Sequence, residues 1–246
     1  MDRLPEDLVN ALHRARRIMA LTGAGISAES GMPTFREAQT GLWARFQPEE
    51  LATPEAFERH PRRVWEWYAW RRSLAAQARP NVGHRTLVGL ADRVPDFTLV
   101  TQNVDNLHQR AGSREVVELH GNILRTRCSQ DGGPVTEWAD GGTLPPLCPR
   151  CGAPLRPDVV WFGEALPADA VAHAWRAAEA AELCLVVGTS ALVHPAASLP
   201  LVTREHGGLV VEVNPEPTPL TPQAAWSLRG RAGDVLPRLL AAAWPD

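Results

Sequence analysis

The 246-residue chain contains no lysine, and all 25 of its basic side chains are arginine. That absence excludes a Schiff-base lysine. It also excludes the phosphate-binding lysines of P-loop and protein-kinase sites. Codon usage alone can produce an all-arginine set, so no function is read from it. Tyrosine is nearly as scarce: Tyr68 is the only one, against nine tryptophans. Four cysteines do not make a disulfide scaffold. No apolar run is long enough for a membrane span, and Met1-Asp2-Arg3-Leu4-Pro5 does not read as a signal peptide. The net charge of −3 gives no support for a nucleic-acid or membrane partner. A cytoplasmic, monomeric protein is the expectation, with no nucleic acid and no membrane among its partners.

What is present is a rhythm of short, apolar, β-branched runs, each with a polar motif directly behind it. Residues 18–21 precede Thr22-Gly23-Ala24-Gly25, and residues 97–100 precede Thr101-Gln102-Asn103-Val104-Asp105. Residues 116–119 precede His120-Gly121-Asn122, residues 183–187 precede Gly188-Thr189-Ser190, and residues 209–213 precede Asn214-Pro215-Glu216. Such runs read as buried parallel strands. The alanine-rich stretch 168–181 reads as an intervening helix. Alternation of this kind predicts an α/β fold, a doubly wound parallel sheet whose ligands bind beyond the carboxyl ends of the strands. Two stretches interrupt it: 54–79, helical and aromatic, and 125–157, rich in Gly and Pro and holding three of the four cysteines. Together they read as a smaller module beside the sheet, with a ligand crevice between the two.

Gly23-Ala24-Gly25-Ile26-Ser27-Ala28 fits the G-x-G-x-x-G/A pattern that brings a backbone close to a pyrophosphate. The acidic ribose ligand of a dehydrogenase does not follow about 20 residues on, since Gly31-Met32-Pro33-Thr34-Phe35-Arg36 is a loop. A dinucleotide bound in some other manner is the expectation. The amides and carboxylate of Gln102, Asn103 and Asp105 suit ribose hydroxyls or a carboxamide, although such residues also cap helices. His120, just past a strand at the crevice, can accept a proton near neutral pH. His108 is the runner-up. Cys148-Pro149-Arg150-Cys151 has a zinc-knuckle spacing, with Cys128 20 residues upstream. The expected partner of Cys128 is Asp131. A Cys3Asp site, weak zinc binding and a vestigial site all stay open. Cys184, inside an apolar run, reads as a core residue. Tyr68 and Arg71 share a helix face. From spacing alone they read as a packed aromatic stripe beside a surface arginine.

Over about residues 10 to 240 the chain resembles the sirtuins, NAD-dependent protein lysine deacylases. The resemblance rests on residues 23–36, 101–108, His120-Gly121-Asn122, Val160-Trp161-Phe162-Gly163-Glu164, Gly188-Thr189-Ser190 and Val213-Asn214, in that order. It implies one catalytic domain: a Rossmann-like part of about residues 1–35, 82–122 and 165–246, and a small part of about 36–81 (helical) and 123–164 (zinc insert). By that likeness Gly23, Ala24, Gly25, Ser27, Phe35 and Arg36 line the NAD loop. Gln102, Asn103 and Asp105 hold nicotinamide and its ribose, and Gly188, Thr189, Ser190, Asn214, Pro215, Glu216 and Ala232 hold the adenosine half. Gly163 and Glu164 lie where a substrate backbone pairs as an added strand. Cys128, Cys148 and Cys151 hold a structural zinc whose fourth ligand is open, with Asp131 a candidate.

The implied reaction begins with attack of the acyl oxygen on the ribose carbon as nicotinamide leaves. His120 then acts as general base on a ribose hydroxyl, and water releases lysine and O-acyl-ADP-ribose. The implied partners are acylated lysines of proteins. Tyr68-x-x-Arg71 resembles the pair of the class that removes acidic acyl groups, which replaces the packing reading with a desuccinylase and demalonylase expectation, acetyl groups included. A mono-ADP-ribosyltransferase and a non-catalytic NAD-responsive module are the alternatives.

Overall fold

The computed structural model describes residues 4–33, 44–139 and 142–245. Strands β1 (Arg17–Thr22), β2 (Asp96–Thr101), β3 (Val116–Glu118), β6 (Leu183–Val187), β7 (Leu209–Asn214) and β8 (Trp226–Arg229) form one six-stranded sheet in the order β3-β2-β1-β6-β7-β8. Every pairing in it is parallel. The chain runs outward from β1 to β3, then restarts at β6 on the other side of β1. The order therefore reverses between β1 and β6, where a crevice opens beyond the strand ends.

Alternate residues face opposite sides of a strand, so each run feeds two cores. Ile18 and Ala20 pack with Leu99, Leu185 and Val211 under helices α1 (Glu6–Arg14), α5 (Val82–Ala91) and α9 (Ala232–Ala243). Met19 and Leu21 pack with Val100, Val186 and Val210 under α7 (Ala168–Ala180) and α8 (Leu199–Glu205). Burial on both faces explains why these runs are mostly apolar rather than alternating, the buried Glu212 of β7 being satisfied by Thr221, Ser227 and Arg229. The one strand with no apolar signature is β8, an edge strand whose residues are half-buried or exposed.

The rest of the chain builds a second body. Helices α3 (Pro54–Arg59) and α4 (Pro61–Gln77) share a core with β4 (Gly121–Cys128) and β5 (Leu155–Val159), an antiparallel ribbon. Thr53 caps α3 by accepting from the Ala56 amide at 3.1 Å. Trp67, Tyr68, Ile123 and Trp161 fill this core. Arg72 fastens helix to ribbon: its guanidinium donates to the Ile123 carbonyl at 2.8 Å, the Arg125 carbonyl at 3.3 Å and Thr126 Oγ1 at 3.1 Å. Those acceptors are exposed by the register shift between Asn122 and Thr126. A separate small core of Trp65, Cys128, Val135, Cys148 and Leu155 closes the far end. Among the described residues no helix is long and apolar enough to cross a membrane.

Candidate active site

The floor of the crevice is made by glycines. Gly23 and Gly25 follow β1, Gly188 follows β6, and the Gly25 amide donates to the Gly188 carbonyl at 2.8 Å. A Cβ added at Gly25 would lie 2.7 Å from the Gly188 Cα. Gly188 itself has φ +61°, and its own Cβ would meet the Ile26 amide nitrogen. Two chain segments can cross this closely only if both lack side chains. The helix opened here, α2 (Ala24–Ala28), carries Ser27 with its hydroxyl turned inward.

Polar side chains ring this floor. Asn103 donates to the Gly23 carbonyl at 3.0 Å and to Ser27 Oγ at 3.2 Å. Gln102 Nε2 donates to Thr189 Oγ1 at 3.0 Å, and Asn214 Nδ2 donates to the Thr189 carbonyl at 3.2 Å. Pro215 and Glu216 form the exposed loop after β7, Ser190 is exposed, and Ala232 begins α9. Asp105 is buried and accepts from the Leu107 amide at 2.9 Å. Burial pushes its carboxyl above the ordinary value, while Ser27, the Leu107 amide and Arg71 pull the other way. Thr34, Phe35 and Arg36 lie outside the described residues.

His120 stands between β3 and β4. Its Nδ1 is 2.9 Å from the Gln102 carbonyl. A carbonyl only accepts, so Nδ1 carries the proton and Nε2 keeps its lone pair. Burial lowers the imidazole pKa, opposed by that same carbonyl. The ring is thereby a neutral base at neutral pH. Gly121, at φ +79°, lets β5 pass against the next residue, where a Cβ would run into the Asp158 carbonyl. The runner-up, His108, has a different place. It is 1% exposed, bonded through Nε2 to Thr22 Oγ1 at 2.9 Å and packed on His84 with ring centres 4.8 Å apart. Burial and His84 hold its pKa down to about 3. Shut inside the fold, it is a core residue and cannot meet a substrate.

Tyr68 and Arg71 sit one turn apart on α4, and both point inward. The surface arginine expected from spacing alone is 9% exposed. Burial pushes the Tyr68 phenol up to about 12, against the pull of Arg71. Burial lowers the Arg71 pKa, opposed by Tyr68 and Asp105. The structure thus brings Arg71 within electrostatic reach of both Tyr68 and Asp105. Gly163 is exposed with φ +88°. Glu164 is turned away from solvent into a two-pronged ion pair with Arg156 at 2.6 and 2.8 Å. Any strand docking at 163–164 therefore has backbone to pair with, rather than this carboxylate. The anchoring contacts of Arg156 and Arg72 were not legible in the sequence. Nothing in their local spacing marks them.

The sulfurs of Cys128, Cys148 and Cys151 lie within 4.8 Å of one another, Cys128 and Cys151 at 3.5 Å. Tetrahedral zinc, with Zn–S bonds of about 2.3 Å, spaces sulfurs by about 3.8 Å, so the triad fits that ion. Asp131 lies beside Cys128 without coming within 4.8 Å of all three sulfurs. Its carboxylate accepts from the Gly133 amide at 2.8 Å and pairs with Arg150 at 3.1 Å. The guanidinium of the Cys-Pro-Arg-Cys turn competes for the carboxylate that was expected to complete the site. Among the described residues no fourth ligating side chain joins the three thiols. Cys184 is fully buried, its thiol pushed up to about 12 by burial, as expected for a core residue.

A parallel sheet with a glycine-floored crevice at its switch point, one oriented imidazole and an accessory module define a nucleotide-type α/β enzyme scaffold. The Sir2 family model matches residues 23–195, and the chain belongs to that family. It is 53% identical over 223 residues to an NAD-dependent protein deacylase of Aquifex aeolicus, covering 90% of this chain and 93% of that one. A protein of the same name from Thermus thermophilus is 53% identical over 246 residues, covering 98% and 95%. Among solved structures, a Sir2 homologue–NAD complex superposes with a TM-score of 0.92 at 47% identity, covering 98% of this chain and 94% of that one. A Sir2–p53 peptide–NAD+ complex gives 0.83 at 34%, covering 96% of each.

Proposed function

We propose that this chain is an NAD-dependent protein lysine deacylase that favours acidic acyl groups, succinyl and malonyl, and also removes acetyl. The observation that carries the catalytic part is the double role of Gln102. Its carbonyl orients His120, and its amide reaches Thr189 beside the glycine floor. One residue thus ties the candidate base to the candidate nucleotide site. The glycines leave room for a dinucleotide backbone, and Gln102, Asn103, Asp105, Asn214 and Ser27 supply the donors and acceptors that its sugars and amide need.

NAD supplies a ribose carbon already activated by a cationic leaving group. This chain's residues orient and protect it. Asn103 and Asp105 hold the polar ring of the site, the glycine floor admits the pyrophosphate, and His120 Nε2 takes a proton from a sugar hydroxyl. Water must be kept away until the acyl group is in place, which suits a crevice between two bodies. Zinc, if bound, would be held by Cys128, Cys148 and Cys151, where it cross-links the insert. Cys128 and Cys148 belong to a core separate from His120, and Cys151 is exposed beside them.

Acidic-acyl selectivity rests on Tyr68 and Arg71. A buried guanidinium beside a protonated phenol suits a carboxylate, with charge from one and a hydrogen bond from the other. The test is a matched acyl-peptide panel with NAD, read by mass spectrometry. Arg71→Met should cut desuccinylation far more than deacetylation, by the ~2–5 kcal/mol lost with a buried charge partner. Equal losses on both peptides would remove the acidic-acyl reading and leave the deacylase. His120→Ala should abolish turnover while NAD still binds, and O-acyl-ADP-ribose should be the product. Transfer of ADP-ribose to protein instead would sink the deacylase reading. Absence of wild-type turnover on every acyl peptide would support a binding module.

A further inference from the structure

Arg156 is a buried cation in the loop-and-ribbon side of the second body, and nothing so far gives it a task. It is 7% exposed. Its two terminal nitrogens grip both oxygens of Glu164, and one of them also donates to the Val159 carbonyl at 3.1 Å. Its guanidinium carbon lies 3.4 Å from the centre of the Trp161 ring. The Glu164 carboxylate returns to the same residue by accepting from the Trp161 amide at 2.8 Å. Trp161 is therefore held twice, at its ring by the cation and at its backbone by the cation's partner. The held indole packs on Phe57 at 5.2 Å and on Tyr68 at 6.3 Å between ring centres.

We propose that Arg156 is a positioning residue for the acyl pocket. It seats Trp161 against Tyr68, and so sharpens the discrimination between acidic and neutral acyl groups. This rests on the acidic-acyl reading of Tyr68 and Arg71. Two effects act in the same direction. A shifted Trp161 misplaces the Tyr68 hydroxyl, which an acyl carboxylate needs and an acetyl group does not. Removal of the guanidinium also strips Glu164 of its closest counter-charge, leaving Arg127 at 3.6 Å. The freed negative charge then repels an acidic acyl group more than a neutral one. The loop's other anchors are backbone bonds, from the Val160 amide to the His120 carbonyl and from the Phe162 amide to the Ala52 carbonyl, both at 2.9 Å. They do not depend on Arg156, so the candidate base stays in place.

The experiment measures kcat/KM for succinyl- and acetyl-lysine versions of one peptide, KM for NAD and thermal stability. The proteins are wild type, Arg156→Met, Arg156→Lys, Tyr68→Phe, Arg71→Met and the Arg156→Met/Tyr68→Phe double variant. Arg156→Met should lower succinyl kcat/KM by roughly 10-fold relative to acetyl, with KM for NAD unchanged. Arg156→Lys should not restore it, because an ammonium neither grips both carboxylate oxygens nor stacks flat on the indole. The double variant should lose less than the product of the two single losses. Equal loss on both peptides, or independent effects of Arg156 and Tyr68, overturns the inference. Glu164→Gln, milder for folding, loosens the same grip on Trp161 and should lower succinyl relative to acetyl kcat/KM, as Arg156→Met does. A selectivity unchanged in both variants, or a shift toward the acidic acyl group in Glu164→Gln, overturns the proposal. Arg71→Met keeps the two readings apart. If it is selective and Arg156→Met is not, only the positioning role falls. If Arg71→Met is itself unselective, the acidic-acyl reading falls.

Discussion

The two bodies beside the crevice are made from different materials. On the sheet side, close contacts run backbone to backbone: glycines 23, 25 and 188 cross with no side chain between them. On the other side, the contacts are arginine forks. Arg72 bridges α4 to β4, Arg125 joins Asp158 at 2.8 Å and Glu118, Arg150 joins Asp131, and Arg156 joins Glu164. A backbone floor tolerates almost no substitution but needs no partner. A wall of ion pairs tolerates change at each exposed member and depends on every buried one.

Substitutions can break this contrast. The largest loss should come from Gly188→Ala, which must place a Cβ at φ +61° against the Ile26 amide. Left-handed strain plus overpacking should cost about 2–5 kcal/mol in denaturant unfolding. A neutral result would mean that the floor can spread. Acid should also weaken the sheet side. His84 and His108 lie under it, with pKa values pushed down to about 4 and about 3, mainly by burial. Both are neutral in the fold, whereas the unfolded chain binds protons below about 6.5. Stability is thus complete above pH 6.5 and falls as pH drops towards 4, by on the order of 3 kcal/mol for each histidine. A melting temperature flat over that range would show that the pair is not held neutral.

Smaller effects belong to the arginine wall. Arg72→Met strands three acceptors between α4 and β4 and should cost about 1–3 kcal/mol. The exposed Arg62–Glu66 pair offers the control, since Arg62→Met should cost under about 0.5 kcal/mol. Equal costs would mean that burial does not matter to these forks. The smallest effect on stability is expected for Asp131→Cys, which exchanges an ion pair for a fourth thiol. Zinc should then resist a chelator better than in the wild type, as measured by metal content after dialysis. Unchanged retention would show that a fourth protein ligand is not what limits the site.

The same contrast governs what could be read from the sequence. Strands β1, β2, β6 and β7 were legible because burial on both faces makes them almost wholly apolar, Glu212 of β7 being the buried, charged exception. The polar residues behind them were legible because topology brings all strand ends to one edge. Edge strand β8 was missed for the converse reason, having only the half-buried Trp226 and Leu228 to mark it. The arginine wall left no local trace. Arg72 meets its acceptors 51 to 54 residues away, and Arg156 acts through an indole whose partner Tyr68 comes from another element. His108 was read too generously, because a motif shows that residues are near a strand end but not which of them face the crevice. Asp131 was one open candidate for a fourth ligand, chosen by its spacing to Cys128, and that spacing carries no information about Arg150.

The lone phenol has a practical consequence. Tyr68 is the only tyrosine in these 246 residues and lies in the core beside Trp161. Biosynthetic incorporation of fluorotyrosine would give a single fluorine resonance, reporting from the proposed acyl pocket with nothing to assign. With no lysine in the chain, amine-directed dyes would react only at its amino terminus and on the peptide being deacylated. Each newly freed lysine could then be counted in the presence of the protein that released it.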